Sequence, residues 1–304
     1  MISIIGRHCP VVPGSDTVVQ RAMQDHMAIL RNLVVIGLVT MVELFAAQLG
    51  HAQTWLAPAY PASALLGPSN AKGAVIWSHG RSADAEDSEA PTPPFMASLR
   101  SGGWDTFRLN RLRAKDTFAE SARALVQDVH RLKQQGYRQV VLAGQSFGGF
   151  LSLMGADASD EVDAVIATAP AAYGTYADQY DTWRANATEL YPLLARVRHA
   201  RVMLFYFHGD EFDPGGRGER SRDILAERHL EYVVIDQPRQ LATHWAASTP
   251  LFARLYGDCV LAFLEANHFA PDVQCKGGTY WAGAPAPSRL AGTPLGAHLD
   301  TAAR

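Results

Sequence analysis

The chain has few of the features that mark nucleic-acid-binding, metal-dependent or repetitive proteins. Its 27 Lys and Arg residues and 30 Asp and Glu residues form no long run of either sign, which argues against a nucleic-acid partner. There is no metal-ligand spacing, no phosphate-binding P-loop and no G-x-G-x-x-G turn, so we expect neither a metal nor a cofactor. Internal repeats and low-complexity tracts are also absent. With 48% hydrophobic and 19% charged residues, the chain is able to form a substantial core.

The N-terminal segment, residues 1–52, has the layout of a secretory signal peptide. An apolar run at residues 33–42 follows Arg31, and the small residues near Ala52 suit a signal peptidase. We therefore predict an extension and signal peptide over this segment, with cleavage near Ala52. The mature protein is then periplasmic or secreted and has no contact with the membrane.

Two alternatives stay open for this segment. The apolar run could remain as an uncleaved membrane anchor, although it is short for a membrane span and Glu43 lies close to its end. Met27 would be a conventional start for the signal peptide, which leaves open whether residues 1–26 are translated.

Cysteine is scarce, with three in the whole chain. Cys9 lies in the segment that export would remove, which leaves Cys259 and Cys275 as a pair in an oxidising compartment. We predict a disulfide between them that fastens the C-terminal tail to the last predicted helix. The alternative is two buried thiols.

Short apolar runs alternate with helical patterns through the rest of the chain, residues 53–304. Runs rich in β-branched and aromatic residues predict six buried strands, at residues 74–77, 104–109, 139–143, 162–168, 201–207 and 231–236. Between them, residues 119–135 form the clearest amphipathic helix, and residues 174–199 are predicted to be a short helical insert. Residues 54–72, rich in Ala and Pro, are predicted to be a linker. The alternation predicts one α/β domain with a mostly parallel sheet of about six strands, whose site lies at the carboxyl ends of the strands.

The strand at residues 139–143 runs into a G-x-S-x-G motif centred on Ser146. A helical pattern begins directly afterwards, at Phe147. Strand, sharp turn carrying serine, and helix together make a nucleophile elbow. The glycines at both ends of the motif have a steric reason, because side chains there would collide with the neighbouring strand and helix.

An acidic residue and a histidine follow later predicted strands, in the order serine, acid, histidine. The acid is either Asp210, directly after its strand, or Asp213, which precedes a proline. His244 follows the last predicted strand and is the candidate base. The chemistry needs these residue types, since an imidazole must take the serine proton and a carboxylate must orient the imidazole.

The GQSFGG motif at residues 144–149 and this chain order resemble the α/β-hydrolase superfamily, in particular its dienelactone-hydrolase and prolyl-oligopeptidase branches. The resemblance covers roughly residues 74–264 and implies a three-layer fold. It also implies an oxyanion hole made by the backbone N–H groups of Phe147 and Arg81, because residues 79–81 are similar to the His-Gly turn of the family.

The chain departs from the family pattern in two places. There is little room before Val75 for the two antiparallel strands that open the family sheet, which predicts a trimmed sheet. Phe212 occupies the position where the family usually carries its aspartate.

These features predict an exported serine hydrolase that cleaves small-molecule carboxylic esters through an acyl-enzyme on Ser146. Asp210 and His244 are the favoured partners of the serine. A peptidase or amidase of the prolyl-oligopeptidase type is one alternative, and a non-catalytic binding protein with the same fold is another. The sequence leaves the ester and the oligomeric state open.

Overall fold

A computed structural model describes residues 54–82, 88, 90–113, 116–266, 275 and 280–283. The predicted signal peptide lies outside these residues, and so does Cys9; the boundary near residue 53 stays a prediction. Within the described part of the chain, no helix is both long enough and apolar enough to cross a membrane.

An eight-stranded sheet organises the described residues. Its strands are β1 (Thr54–Pro58), β2 (Ala74–Ser78), β3 (Asp105–Arg111), β4 (Val140–Gln145), β5 (Ala164–Thr168), β6 (Arg201–Tyr206), β7 (Tyr232–Asp236) and β8 (Tyr280–Gly283). The spatial order is β1-β3-β2-β4-β5-β6-β7-β8. Strands β2 to β7 are parallel, whereas β1 and β8 run antiparallel to their neighbours β3 and β7. The carboxyl ends of the six central strands therefore meet at one edge of the sheet.

Helices cover both faces of this sheet. They are α1 (Phe95–Ser101), α2 (Phe118–Gln134), α3 (Phe147–Ala158), α4 (Tyr180–Trp183), α5 (Ala185–Thr188), α6 (Leu190–Arg196), α7 (Arg217–Glu227) and α8 (Pro250–Glu265). Apolar residues of α2, α3, α6 and α7 pack into one core. Those of α1 and α8 pack into a second core on the opposite face. The predicted three-layer α/β fold and the short helical insert, α4 to α6, are confirmed.

The predicted strand number is wrong, because the sheet has eight strands where about six were expected. The predicted linker contains β1, which pairs antiparallel with β3, so the sheet is less trimmed than expected. Both additional strands lie at the edges. β1 is half-exposed and includes Pro58, and β8 has four residues, so neither has the continuous apolar run of a strand buried on both faces.

The predicted disulfide is present. Cys259 lies on the buried face of α8, and its sulfur is bonded to that of Cys275. The helix begins as its sequence indicates, with Pro250 in the first turn and the Thr249 hydroxyl accepting the Phe252 N–H.

Candidate active site

Ser146 lies in the turn between β4 and α3, where the backbone is strained. Its φ of 58° and ψ of −122° form a conformation that residues with side chains rarely adopt. A Cβ on Gly144 would lie 2.1 Å from the Gly148 carbonyl oxygen, and a Cβ on Gly148 would lie 2.0 Å from the Ser78 carbonyl oxygen. The two glycines therefore allow β4, α3 and β2 to approach closely, which is the geometry of a nucleophile elbow.

Ser146 borders a cavity of about 790 Å³ at the carboxyl edge of the sheet. Loops that follow β2, β5, β6 and β7 supply the other walls, including Arg81, Tyr173, Phe212 and His244. In the structure, the Ser146 hydroxyl donates a hydrogen bond of 3.4 Å to the carbonyl oxygen of Ala171. The serine is thus positioned next to a space that a substrate could enter.

Asp210 is the acidic residue that the fold brings to His244. The distance from His244 Nδ1 to Asp210 Oδ1 is 2.9 Å, and both side chains are buried. The same carboxylate oxygen accepts the Phe212 N–H at 2.9 Å. The other candidate, Asp213, instead accepts a hydrogen bond of 2.8 Å from Nε of Arg217. Of the two acids that the sequence left open, only Asp210 has a hydrogen bond to the histidine.

The opposite ring nitrogen of His244, Nε2, is buried and has no hydrogen-bond partner among the described residues. An imidazole that donates from Nδ1 to a carboxylate carries its free lone pair on Nε2, which is the atom that acts as a base. The loop that carries it is fastened to the elbow by Gln145, whose side-chain amide donates to the His244 carbonyl oxygen at 3.1 Å. Because the Ser146 hydroxyl is bonded to Ala171, the serine–histidine hydrogen bond is not formed in this structure.

The two backbone N–H groups predicted for the oxyanion hole belong to residues that border the same cavity. Phe147 is the first residue of α3, so its N–H has no acceptor within the helix. Arg81 follows the turn after β2. The carbonyl oxygen of Gly80, in the peptide group that carries the Arg81 N–H, accepts from His79 Nδ1 at 2.7 Å and from Arg111 Nη2 at 3.0 Å. Since C=O and N–H point in opposite directions across a trans peptide, these bonds set the direction of the Arg81 N–H.

His79 and Arg111 form a buried network beneath this turn. Burial and, to a smaller extent, the Arg111 charge lower the pKa of His79 to about 3, so its imidazole is neutral. The neutral ring accepts the backbone N–H of Arg111 at Nε2, at a distance of 3.1 Å. The Arg111 guanidinium is itself paired with Asp116 at 3.0 Å, and both side chains are buried. The network holds the turn rigidly against the end of β3.

Sequence reasoning missed both buried arginines of the site, Arg111 and Arg217. Each is fully buried, whereas arginine is ordinarily a surface residue. Arg111 comes two residues after the strand predicted at residues 104–109 and carries no distinguishing signal. Arg217 lies four residues after Asp213, and this i, i+4 spacing was the one available sign of an ion pair.

The residues also bear on whether a metal could take part. Within the part of the chain that the structure describes, no group of three His, Cys, Asp or Glu side chains could hold a metal ion. In the acid loop, residues 207–216, the Asp210 carboxylate is instead paired with His244 and the Asp213 carboxylate with Arg217.

Comparison with known proteins finds similar folds among solved structures. No protein-family model matches the chain, and no curated protein matches it. Among solved structures, the acylaminoacyl peptidase of Pyrococcus horikoshii is similar, with a TM-score of 0.54 and 14% identity over 72% of this chain and 41% of the peptidase. The monoacylglycerol lipase of Paleococcus ferrophilus has a TM-score of 0.51 and 14% identity over 69% of this chain and 98% of the lipase.

This chain therefore spans less than half the length of the peptidase but nearly all of the lipase. At 14% identity such likeness concerns the fold alone. The parallel sheet, the strained turn at Ser146 and these structural matches together show that the chain has the fold of the α/β-hydrolase superfamily.

Proposed function

We propose that the protein is a serine hydrolase that cleaves carboxylic esters, with Ser146 as nucleophile, His244 as base and Asp210 as the residue that orients the base. One observation carries the proposal. The buried hydrogen bond between Asp210 and His244 lies at the same cavity as a serine on a strained strand–turn–helix elbow. Ser146 and His244 border this cavity, Asp210 is hydrogen-bonded to His244, and the three follow one another in the chain order that this chemistry uses.

The reaction follows from the geometry. The Ser146 hydroxyl leaves Ala171 and passes its proton to His244 Nε2 while Oγ bonds to the ester carbonyl carbon. The N–H groups of Phe147 and Arg81 stabilise the negative charge that develops on the carbonyl oxygen. His244 then returns the proton to the departing alkoxide, which leaves an acyl-enzyme. A water molecule, deprotonated by the same imidazole, releases the acid and restores the serine.

Esters are favoured over amides because nothing in the described residues selects a peptide. The insert consists of the three short helices α4 to α6, and the cavity is bounded by ordinary loops. A peptidase remains the second candidate, since one similar structure is named as an acylaminoacyl peptidase and this chain matches 41% of it.

A non-catalytic binding protein is the third candidate. It is favoured by the Ser146 hydroxyl being bonded to Ala171 rather than to His244. Such bonds are often long or unformed before substrate binds, so this observation does not weigh heavily against an enzyme.

Export is part of the proposal. The disulfide between Cys259 and Cys275 supports an oxidising compartment, since such bonds rarely persist in the cytosol. The expected result is a mature N-terminus near Gln53 in the periplasmic or secreted fraction. N-terminal sequencing of the protein from each fraction tests this, and an intact leader found in the membrane fraction would favour the anchor.

The activity test compares aryl and alkyl esters of increasing acyl length with the matching anilides. We expect ester hydrolysis by the purified protein and none by Ser146→Ala. Ser101→Ala is the matched control, because Ser101 is exposed at the end of α1. Faster cleavage of anilides than esters would favour a peptidase, and the absence of any turnover by folded protein would favour a binding role.

A further inference from the structure

An ion pair between Arg217 and Asp213 lies next to the hydrogen-bonded Asp210–His244 pair. Arg217, the first residue of α7, is fully buried, and its Nε donates to Asp213 Oδ1 at 2.8 Å. Its Nη2 lies 3.8 Å from Asp210 Oδ2, the carboxylate oxygen turned away from His244. That distance is too long for a hydrogen bond, so the interaction between Asp210 and Arg217 is Coulombic. The buried side chains thus form a row of alternating charge.

The remaining bonds of Arg217 reach the segment that faces the nucleophile. Its Nη1 donates to the carbonyl oxygens of Pro170 and Asn186. The residue after Pro170 is Ala171, whose own carbonyl oxygen holds the Ser146 hydroxyl. One guanidinium therefore connects the acid loop, the helical insert and the strand end beside the serine.

We propose that Arg217 and Asp213 are positioning residues that set the electrostatic potential of the Asp210–His244 pair, and so set the pH at which His244 becomes a base. This inference rests on the proposed function for its meaning in catalysis. Neither residue is proposed to touch the substrate. Arg217 offsets part of the negative charge at Asp210, and Asp213 in turn offsets part of the positive charge of Arg217.

Burial favours this role because charges act strongly where water is excluded. Burial lowers the pKa of Arg217, and the carboxylates of Asp213 and Asp210 raise it, with a net result above the ordinary value. The guanidinium also lies over the ring of Tyr206, 4.9 Å from its centroid. Arg217 is therefore a permanent positive charge in this core.

Other charged groups lie near this row. Asp236, at the end of β7, lies close enough to interact with Asp213 and Arg217, and Glu219 of α7 interacts in turn with Asp236; burial, then Asp213, raise the pKa of Asp236 to about 6. On the cavity side, charged side chains come from the loops after β2, β3, β5 and β6, and these are Arg81, Arg113, Asp178 and Glu211. The Asp210 carboxylate and the His244 ring are hydrogen-bonded to each other, and the Asp210 carboxylate also accepts the Phe212 N–H.

The sign of each effect follows from the charges. Removal of the Arg217 charge leaves uncompensated carboxylates, which favour the imidazolium form of His244 and move its titration to higher pH. Removal of the Asp213 charge leaves the positive charge of Arg217 less compensated. This disfavours the imidazolium form of His244 and moves its titration to lower pH. If Arg217 and Asp213 served only in packing, their loss would not shift the His244 titration in opposite directions.

The test measures the titration midpoint of the His244 imidazole by NMR, with His244→Asn to identify the signal. We expect Arg217→Met to raise the midpoint and Asp213→Asn to lower it, each by roughly half to one pH unit. Arg217→Lys keeps the charge and is expected to stay close to wild type. The acid limb of the pH profile for active-site labelling should move by the same amounts.

The inference is overturned if Asp213→Asn leaves the midpoint unchanged or raises it. This variant carries the test even where Arg217→Met does not fold. The NMR titration needs no turnover. If the two variants shift the His244 midpoint in opposite directions but wild-type protein takes no label, the charge row is supported and the proposed function is contradicted. If wild-type protein is labelled at Ser146 but neither variant shifts the His244 midpoint, the proposed function is supported and the charge row is contradicted.

Discussion

Alanine at Gly148 is expected to destroy activity while alanine at the adjacent Gly149 is tolerated. The Cβ of Gly148→Ala would lie 2.0 Å from the Ser78 carbonyl oxygen and 2.6 Å from that of His79. Both obstacles are backbone atoms, so no side-chain rotation relieves them. The Cβ of Gly149→Ala would come within 3.2 Å of Pro170, which a shift of a few tenths of an ångström relieves.

The size of the effect follows from these distances. Cβ atoms essentially never come closer than 3.0 Å to another heavy atom, so α3 must move away from β2 by about 1 Å in Gly148→Ala. This movement separates Phe147 from Arg81, the two proposed oxyanion donors. A displacement of about 1 Å costs roughly 10²-fold in rate, and loss of one donor costs roughly 10²–10³-fold.

Stability changes less than activity. Overpacking costs about 1–3 kcal/mol, and replacing glycine by alanine inside a helix returns up to about 1 kcal/mol. The net loss is therefore at most about 3 kcal/mol, which lowers Tm by no more than roughly 12 °C in a domain of this size. The protein with Gly148→Ala should therefore fold and yet be nearly inactive.

The assay measures kcat/KM on an activated ester together with Tm for both variants. We expect a fall of at least roughly 10²-fold for Gly148→Ala and less than about fivefold for Gly149→Ala. Equal activity of the two variants would refute the proposal that the close approach of β2 and α3 builds the oxyanion hole.

Three further predictions concern the acid, the disulfide and the buried imidazole. Asp210→Asn should lower kcat/KM by roughly 10⁴-fold, as loss of the orienting carboxylate does in serine hydrolases, whereas Asp213→Asn at its own pH optimum should keep most activity. Replacement of both Cys259 and Cys275 by alanine should cost about 3 kcal/mol of unfolding free energy, or roughly 6–12 °C in Tm, because the bond closes a loop with a sequence separation of 16; an unchanged Tm would contradict this. Burial, with a neighbouring guanidinium second, lowers the pKa of His79 from 6.5 to about 3, so the unfolded chain takes up a proton first and stability falls as the pH drops below about 6.5. His79→Asn should weaken that pH dependence of Tm, and an identical slope in both proteins would count against the buried neutral imidazole.

The interior of the fold could be predicted from the sequence because its strands are buried on both faces. β4 and β5, for example, are continuous apolar runs that end where the chemistry begins. The elbow was equally predictable, because the glycines of the G-x-S-x-G motif stand where the structure leaves no space for a side chain, at Gly144 and Gly148. The two edge strands, β1 and β8, were not predicted, because an edge strand needs less apolar surface than a strand buried on both faces.

The charge pairs and hydrogen bonds of the site could not be predicted from sequence patterns. Asp210 and Asp213 have similar sequence surroundings, and only the packing of α7 decides that Asp213 faces Arg217 while Asp210 faces His244. The side chain of Arg111 is likewise held by contacts with residues distant in sequence, such as the hydrogen bond from its Nη2 to the His79 carbonyl oxygen. Long-range pairs of this kind carry no local periodicity.

The central claim is that Ser146 is an activated nucleophile, and covalent labelling tests it most directly. Purified mature protein is treated with a fluorophosphonate, and the modified peptide is identified by mass spectrometry, with Ser146→Ala and Ser101→Ala in parallel. We expect a single label on Ser146 that is lost in Ser146→Ala and kept in Ser101→Ala. Folded wild-type protein that takes no label at Ser146 would contradict the account and favour a binding role for the cavity.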